Sequence, residues 1–379
     1  MKPYKIRFWI VPYLFSSFGV FVYAEETKAY KLPEKVQKPF PQYLHEEIDI
    51  PAASSTEKIR SEFSLAKAGE YLEKGALAWA RKRKCVSCHT TGAYMQVRPV
   101  LSKVLGEPGG EIKDQMLKEL QRFRDMDGNQ SREGANPAQI VQIALGLAEW
   151  DKHVGGKLST PTKEALNLMF GIQDEDGTWG SVTTWPPLES SKYQVANAAA
   201  MAAATAPGWL KESQDSKPRK NFDLLTDYLR NTPPPHDYGS VLLLWTAGRI
   251  PTLLSPEEKK NIVEMIEGFQ RPDGGWSIRS FAKPEEWGEG NRAGKIRNEF
   301  NFANPASDGH MTGLALLTLI DAGVEKEKTS IRKGVLWLKS NQRESGRWWT
   351  RSLNTDKRHF ITYSGTAYPL LALYKCDAL

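Results

Sequence analysis

Apolar residues recur at helical spacing along most of the chain, from about residue 56 to the C-terminus. Alanine- and leucine-rich segments alternate with amphipathic ones, and the alternation typical of strands is almost absent. The pattern predicts outer helices at 57–83, 112–124, 162–171, 221–230, 257–269 and 328–340. It predicts inner helices at 91–105, 137–150, 192–206, 237–248, 308–322 and 362–376. The body over 56–379 is therefore predicted to be all-α, with about 320 residues and one large core.

One turn is repeated three times between these helices. It reads Gln-Asp-Glu-Asp-Gly-Thr-Trp at 173–179, Gln-Arg-Pro-Asp-Gly-Gly-Trp at 270–276 and Gln-Arg-Glu-Ser-Gly-Arg-Trp at 342–348. Gly and Asp favour a turn, Gln can bond the loose groups of a helix end, and Trp can pack over the junction. Repetition at this period predicts stacked or ring-closed helical hairpins.

These turns resemble the QW repeats of the superfamily that contains squalene–hopene cyclases and the β-subunits of protein prenyltransferases. The resemblance covers essentially the whole body. It implies an (α/α)6 toroid, in which inner helices surround a central apolar cavity and outer helices surround the inner ones. The six outer and six inner helices predicted above are enough to close such a ring.

The pentapeptide Cys85-Val86-Ser87-Cys88-His89 holds two of the three cysteines of the chain. Cys-x-x-Cys-His is the attachment motif of c-type haem, in which both thiols form thioethers with the porphyrin and the histidine binds the iron. We therefore expect one covalent haem c, with His89 as the proximal ligand. Half of a zinc site is the alternative, but the chain has no second Cys-x-x-Cys and no His-x-x-x-His. In the repeat register the motif occupies the first outer-to-inner junction, so we expect the haem at the rim where the inner helices begin.

The first 24 residues are typical of an export signal. Three basic residues precede an apolar run over 8–22, and Ala24 ends a tolerable cleavage site. The run is short for a membrane span, so we expect cleavage and no stable span afterwards, with an uncleaved anchor as the alternative. Because haem c is attached outside the bacterial cytoplasmic membrane, the predicted location is the periplasm. The Pro-rich segment 25–55 is predicted to be an extended arm.

The formal charge of +6 gives little reason to expect a nucleic-acid partner. The signal contributes three basic residues and no acids, which leaves 48 basic and 45 acidic residues and no basic stripe. With two cysteines committed to haem, Cys376 is left unpaired and no structural disulfide is expected. A periplasmic redox protein is the expected macromolecular partner.

Three histidines are candidates for the sixth ligand of the haem iron. His236, His310 and His359 each lie at or just before the start of a predicted inner helix, and so at the predicted haem rim. An open sixth position is the alternative. A haem closed by a second histidine favours an electron-transfer role, whereas a five-coordinate haem favours chemistry on a bound ligand.

The catalytic motifs of the superfamily are mostly missing. Its cyclases carry Asp-x-Asp-Asp-Thr-Ala at the start of an inner helix, and residues 308–313 read Asp-Gly-His-Met-Thr-Gly here. His310 therefore stands where the key acid would be, and an imidazolium is a poor replacement for it. The zinc pattern of the prenyltransferases, Asp-x-Cys with a later His, is matched only as Asp-x-His.

The same rim still collects four side chains that could place protons: Asp308, His310, Tyr238 and Tyr363. We favour an exported haem c protein that is redox-active on or near an apolar, isoprenoid-like ligand in the central cavity. One alternative is a non-catalytic electron-transfer or sensor cytochrome that uses the toroid as a scaffold. Another is a terpene cyclase or prenyltransferase-like enzyme. The insertion between residues 279 and 307 is predicted to cover the mouth of the ring or to carry contacts.

Overall fold

The computed structural model describes residues 40–83, 85–180, 185–188, 191–214 and 216–379. The predicted export signal at 1–24 and the first part of the predicted arm lie outside these described residues. Within the described ranges, no helix is both long enough and apolar enough to cross a membrane.

The described residues form a two-stranded antiparallel hairpin followed by fifteen α-helices. The strands are β1 (Tyr43–His45) and β2 (Ile48–Ile50). The helices are α1 (Leu65–Arg83), α2 (Thr91–Val97), α3 (Ser102–Leu105), α4 (Glu111–Arg124), α5 (Asn136–Trp150), α6 (Thr160–Gly171), α7 (Lys192–Thr205), α8 (Trp209–Glu212), α9 (Lys217–Asn231), α10 (Asp237–Ala247), α11 (Pro256–Gly268), α12 (Ala293–Arg297), α13 (Gly309–Asp321), α14 (Thr329–Asn341) and α15 (Ile361–Lys375).

Six of these helices form a closed inner ring. Helices α2, α5, α7, α10, α13 and α15 each pack against the next, and α15 packs back against α2. Helices α1, α4, α6, α9, α11 and α14 lie outside and precede the inner helices in turn. The predicted all-α (α/α)6 toroid is therefore confirmed.

The two layers follow from two hydrophobic patterns. The outer helix α9 buries a single stripe at spacing i, i+3, i+4 and i+7, formed by Phe222, Leu225, Thr226 and Leu229. The inner helix α10 is buried from Tyr238 to Ala247 at every position except Ser240. A helix that is apolar on all sides has to be enclosed, and the outer layer encloses it.

The repeated turn joins one repeat to the next. In each copy the Gln side chain donates to the Gly carbonyl of its own turn and to a carbonyl at the start of the next outer helix. In the last copy, that second partner belongs to the first repeat: Gln342 Nε2 lies 2.9 Å from Ser64 O, and Ser64 N donates to Gln342 Oε1 at 2.7 Å. The turn of the sixth repeat, residues 342–348, therefore joins the last repeat to the start of α1 and closes the ring.

Three details differ from the sequence-based expectations. Helix α1 begins at Leu65 and not at residue 57, because 57–64 runs along the sixth turn, where Arg60 N donates to Gln342 O at 2.8 Å. The first inner helix is split after Val97, where Pro99 follows within two residues. The end of the predicted arm is a hairpin with buried apolar residues facing α1, and not an extended strand of chain.

Candidate functional site

The pentapeptide 85–89 forms the junction between α1 and α2. The Cys85 carbonyl accepts hydrogen bonds from Trp79 Nε1 at 3.2 Å and from Gln115 Nε2 at 3.1 Å. Ser87 N donates to Thr91 Oγ1 at 3.1 Å. Three helices, α1, α2 and α4, therefore fix the backbone of this junction.

A cavity of about 750 Å³ lies beside the pentapeptide and is lined by all five of its residues. Ala135, just before α5, Leu188, in the segment before α7, and Ile361, the first residue of α15, also line it. The cavity is therefore at the rim where the inner helices begin. Its volume is within the range of roughly 300–1,000 Å³ that is usual for small-molecule sites.

The lining of this rim cavity combines aromatic rings with positive charge. Its aromatic members are Phe40, Trp79, Trp185 and Phe360, and its charged members are Arg83, Lys357 and Arg358. Among the described residues that line it, none is an Asp or Glu. Such a lining suits a flat apolar group that carries anionic substituents, and a porphyrin with its two propionates is a group of that kind.

His89 is held with one ring nitrogen engaged. Its ring stacks on Phe360, with centroids 5.1 Å apart and an angle of 11° between planes, and meets Trp79 edge-on at 4.7 Å. Nδ1 lies 2.8 Å from Thr90 Oγ1, which leaves Nε2 as the nitrogen able to bind a metal. Burial, aided by the charge of Arg83, lowers the pKa of His89 to about 4. The imidazole is therefore neutral at pH 7, as metal ligation requires.

Two buried polar atoms in the lining lack a hydrogen-bond partner among the described residues. They are Ser87 Oγ and Gln139 Oε1. Leaving such a group unpaired costs about 1–3 kcal/mol, and a molecule or water bound in the cavity would satisfy both atoms. Within the described ranges, the pentapeptide included, no group of three or more His, Cys, Asp and Glu side chains is arranged to hold a metal ion.

The three histidines proposed as sixth ligands do not line the rim cavity. His310 Nε2 lies 3.0 Å from Tyr238 Oη and its Nδ1 lies 2.9 Å from Ser364 Oγ, so both nitrogens are engaged. His236 caps α10, and its Nδ1 accepts from Gly239 N at 3.1 Å. Neither side chain lines the cavity that holds His89, where the expectation placed them.

His359 and Phe360 are adjacent in the sequence but line different cavities. Phe360 lines the rim cavity and stacks on His89, whereas His359 lines a second, polar cavity. There its Nδ1 accepts from Ser352 N at 3.1 Å, and burial lowers its pKa to about 4. The expectation that His359 would neighbour the haem through the closure of the ring is therefore not met.

Of the four side chains expected to place protons, Tyr238, His310 and Asp308 lie near one another at the start of α13, whereas Tyr363 does not join them. Asp308 lines the polar cavity of about 590 Å³ and caps α13, accepting from Met311 N at 2.9 Å and from Ile278 N at 2.7 Å. Burial raises its pKa to about 6. Tyr238 and His310 pair with each other, as described above. Tyr363 Oη donates to Leu72 O at 2.6 Å and so points outward to α1.

Where the central apolar cavity was expected, the inner helices leave a narrow space beside Cys88. Side chains from five inner helices enclose a space of about 20 Å³ there. Bulky rings of Trp245 and Tyr368 and the amides of Gln96, Gln142 and Gln194 occupy the centre. The remaining space is enough for about one water molecule.

The insertion between residues 279 and 307 covers a different part of the rim. Its Trp287 is fully buried against His236 and Tyr238, with ring centroids 5.0 and 5.4 Å apart. Its Glu299 pairs with Arg279, and both line the polar cavity. The insertion therefore covers the starts of α10 and α13.

The cationic lining of the rim cavity was missed by the sequence reasoning. Lys357 and Arg358 lie just before the last inner helix, and Arg83 ends the first outer helix. In a closed ring, those two positions are neighbours. Listing the charges at junctions one and six, in addition to the histidines, would have found them.

Comparisons with known proteins found one family model and several solved structures to which the chain is similar. Residues 238–377 match the family described as the squalene-hopene cyclase C-terminal domain. The chain is similar to the solved structure of the type II terpene cyclase MstE from Scytonema, with 12% identity and a TM-score of 0.45 over 83% of this chain and 100% of that one. A variant of that cyclase in complex with geranylgeranyl dihydroxybenzoate gives 12% identity and a TM-score of 0.42 over the same shares. A comparison with curated protein sequences found no significant match. In its C-terminal part, the chain is thus similar to the C-terminal domain of the squalene-hopene cyclases.

Proposed function

We propose that this chain is an exported redox protein that carries one covalent haem c, attached through Cys85 and Cys88, with His89 as the axial ligand. The observation that carries the proposal is that both cysteines and His89 line one cavity of about 750 Å³. The aromatic and cationic lining of that cavity supports the same proposal. When bound, the haem supplies one-electron chemistry at its iron.

The side chains of the rim cavity have distinct parts in this proposal. Arg83, Lys357 and Arg358 would pair with the propionates, and charge-assisted hydrogen bonds of this kind are among the stronger ones. Trp79 and Phe360 pack against the His89 ring and fix its orientation. The neutral imidazole would offer Nε2 to the iron, because Nδ1 is engaged by Thr90.

We propose further that the redox chemistry acts on an apolar molecule at the mouth of the rim cavity. The ring centre leaves only about 20 Å³, so it has no room for an isoprenoid-like ligand. Phe40 and Trp185 line the rim cavity and are each 50% exposed, which offers an apolar surface at its opening. The three candidate histidines are engaged elsewhere, so we expect none of them to close the sixth position.

The test of haem attachment is expression of the full chain with export and a haem c maturation system. We expect a c-type pyridine haemochrome with one haem per chain, and none in Cys85→Ala/Cys88→Ala. Cys376→Ala is the matched control and should keep its haem, because Cys376 lies at the end of α15, away from the rim cavity. Absence of haem from exported, folded protein would contradict the proposal.

The ferrous spectrum distinguishes chemistry on a ligand from electron transfer alone. An accessible sixth position should bind added carbon monoxide, with a shifted Soret band. A spectrum that carbon monoxide does not change would favour an electron-transfer or sensor cytochrome, which docks a periplasmic redox partner at the exposed Phe40 and Trp185.

A second candidate function is terpene cyclisation, which is favoured by the match of residues 238–377 to the cyclase domain family. Asp308 is the acid it would use, since its pKa is raised to about 6. Both carboxylate oxygens, however, accept backbone hydrogen bonds in the cap of α13. Incubation with squalene or a geranylgeranyl compound should give no polycyclic product; formation of one that Asp308→Asn abolishes would establish this candidate.

A further inference from the structure

The hairpin that precedes the toroid reaches the imidazole of His89 through one hydroxyl. Tyr43 Oη lies 2.9 Å from Thr90 Oγ1, and Thr90 Oγ1 lies 2.8 Å from His89 Nδ1. Thr90 is fully buried, and Tyr43 is 4% exposed. A threonine hydroxyl has two lone pairs and one proton, so it can serve both neighbours at once.

Tyr43 also reaches the face of the same imidazole through Phe360. The rings of Tyr43 and Phe360 have centroids 5.6 Å apart, and Phe360 stacks on His89 at 5.1 Å. Tyr43 therefore constrains the tilt of the imidazole through the packing of Phe360. It constrains the hydrogen bond of Nδ1 through Thr90.

The hairpin is itself anchored independently of His89. Gln42, next to β1, accepts from Tyr71 Oη at 3.0 Å and from Arg347 Nη1 at 2.8 Å. Tyr71 lies on α1, and Arg347 lies in the last copy of the repeated turn, residues 342–348. The position of Tyr43 is thus tied to the place where the ring closes.

We propose that Tyr43 and Thr90 are positioning residues that fix the tautomer and electron-donating strength of His89 as an axial ligand. This inference rests on the haem c proposal. If Nε2 binds a metal, Nδ1 carries the ring proton and donates a hydrogen bond to Thr90 Oγ1. Such an outer hydrogen bond orients a ligating histidine and raises its basicity, and its loss commonly costs about 10–100-fold in metal affinity or activity.

The first test is the midpoint potential of the exported haem protein. Thr90→Val removes the acceptor of Nδ1, and Tyr43→Phe removes only the second hydroxyl while keeping the ring against Phe360. A less basic ligand stabilises ferric iron less, so both variants should have a more positive potential and a lower iron–histidine stretching frequency, with the larger shift in Thr90→Val. The haem content should stay at one per chain, because the thioethers hold the haem.

The matched control is Tyr71→Phe. It removes a buried tyrosine hydroxyl from the same region, but that hydroxyl donates to Gln42 and not toward His89. It should leave the potential and the stretching frequency unchanged, because Arg347 still holds Gln42 and with it the hairpin. Wild-type values in both Thr90→Val and Tyr43→Phe would overturn the inference, as would an equal shift in Tyr71→Phe.

A second readout needs no haem and so separates this inference from the haem proposal. In full-length Cys85→Ala/Cys88→Ala, nitrogen NMR should show His89 as the Nδ1–H tautomer. Adding Thr90→Val should return a mixture of tautomers. An Nε2–H tautomer in the parent would overturn the positioning role, whether or not haem is ever attached to the wild-type chain.

Discussion

The first and last outer-to-inner junctions of the ring hold the same place in the repeat and differ in what surrounds them. At the last junction, Gln342 exchanges hydrogen bonds with Ser64, and Trp348 Nε1 donates to Leu338 O at 2.7 Å. At the first junction, Ser87 Oγ is buried without a partner among the described residues, beside a cavity of about 750 Å³. Buried polar atoms without a partner among the described residues occur at both junctions, because Arg343 Nε and Ser345 Oγ lack one at the last. The aromatic and cationic lining of its cavity is what makes the first junction a candidate ligand site.

The largest expected effect comes from a substitution that disrupts the last junction. Gly346 has φ +91°, and a Cβ there would lie 2.2 Å from Lys67 O. Gly346→Ala should therefore lower the free energy of unfolding by about 3 kcal/mol or more, from backbone strain and from the clash together. Chemical denaturation of the haem-free chain measures it.

Gly323→Ala is the matched control. Gly323 has a similar φ of +84°, but its Cβ would meet nothing within 4 Å. It should cost roughly 1–2 kcal/mol, from the backbone conformation alone. Equal losses in the two variants would contradict the view that close packing at the last junction holds the ring shut.

The next prediction concerns the pH dependence of stability that arises from the buried His310. Burial lowers the pKa of His310 to about 3, below its ordinary value of 6.5. The folded state therefore binds this proton less tightly than the unfolded state, and stability is lost as the pH falls below 6.5. The loss should reach roughly 2 kcal/mol by pH 5 from His310 alone.

His310→Gln isolates that contribution, since glutamine can still bond Tyr238 and Ser364 but does not titrate. Its stability should change less between pH 7 and pH 5 than that of the parent, by urea denaturation of the haem-free chain. The same pH dependence in parent and variant would contradict the burial of an unprotonated His310.

A smaller expected effect concerns the positive charges that line the rim cavity at the first junction. Arg83→Gln and Lys357→Gln should lower the haem midpoint potential, because each cation favours the reduced haem, which carries one electron more. The effect should be about 1 kcal/mol or less per charge and should shrink with added salt. Lys333→Gln, on the exposed face of outer helix α14, is the control and should have no effect.

The smallest effect concerns the unpaired hydroxyl. Ser87→Ala should leave the stability of haem-free protein unchanged or raise it by up to about 1 kcal/mol, since Ser87 Oγ has no partner among the described residues. Thr91→Val should instead destabilise it by about 1 kcal/mol, because Thr91 Oγ1 accepts from Ser87 N. A clear loss in Ser87→Ala would mean that the cavity holds a structural water in the haem-free state.

Much of this comparison could be predicted from the sequence. Hydrophobic spacing gave the helices of both layers to within a few residues, apart from the start of α1 and the break near Pro99, and the repeated turns gave the ring. The repeat register also gave the position of the pentapeptide at the first junction. These features follow from local sequence patterns that recur along the chain, namely the spacing of apolar residues and the repeated turn.

The filled centre and the direction of single side chains could not be predicted in the same way. Whether Trp245 and Tyr368 fill the ring depends on the rotation of each inner helix about its axis. The division of His359 and Phe360 between two cavities depends on the exact residue at which α15 begins. The hairpin over 43–50 was missed because its strands have only three residues each.

The most direct test of the central claim is the intact mass of the mature protein purified from the periplasm of cells with a haem c maturation system. We predict a mass higher than that of the polypeptide by one haem, with the modified peptide containing Cys85 and Cys88. An exported, folded polypeptide with both thiols unmodified would contradict the claim that the first junction is a haem site.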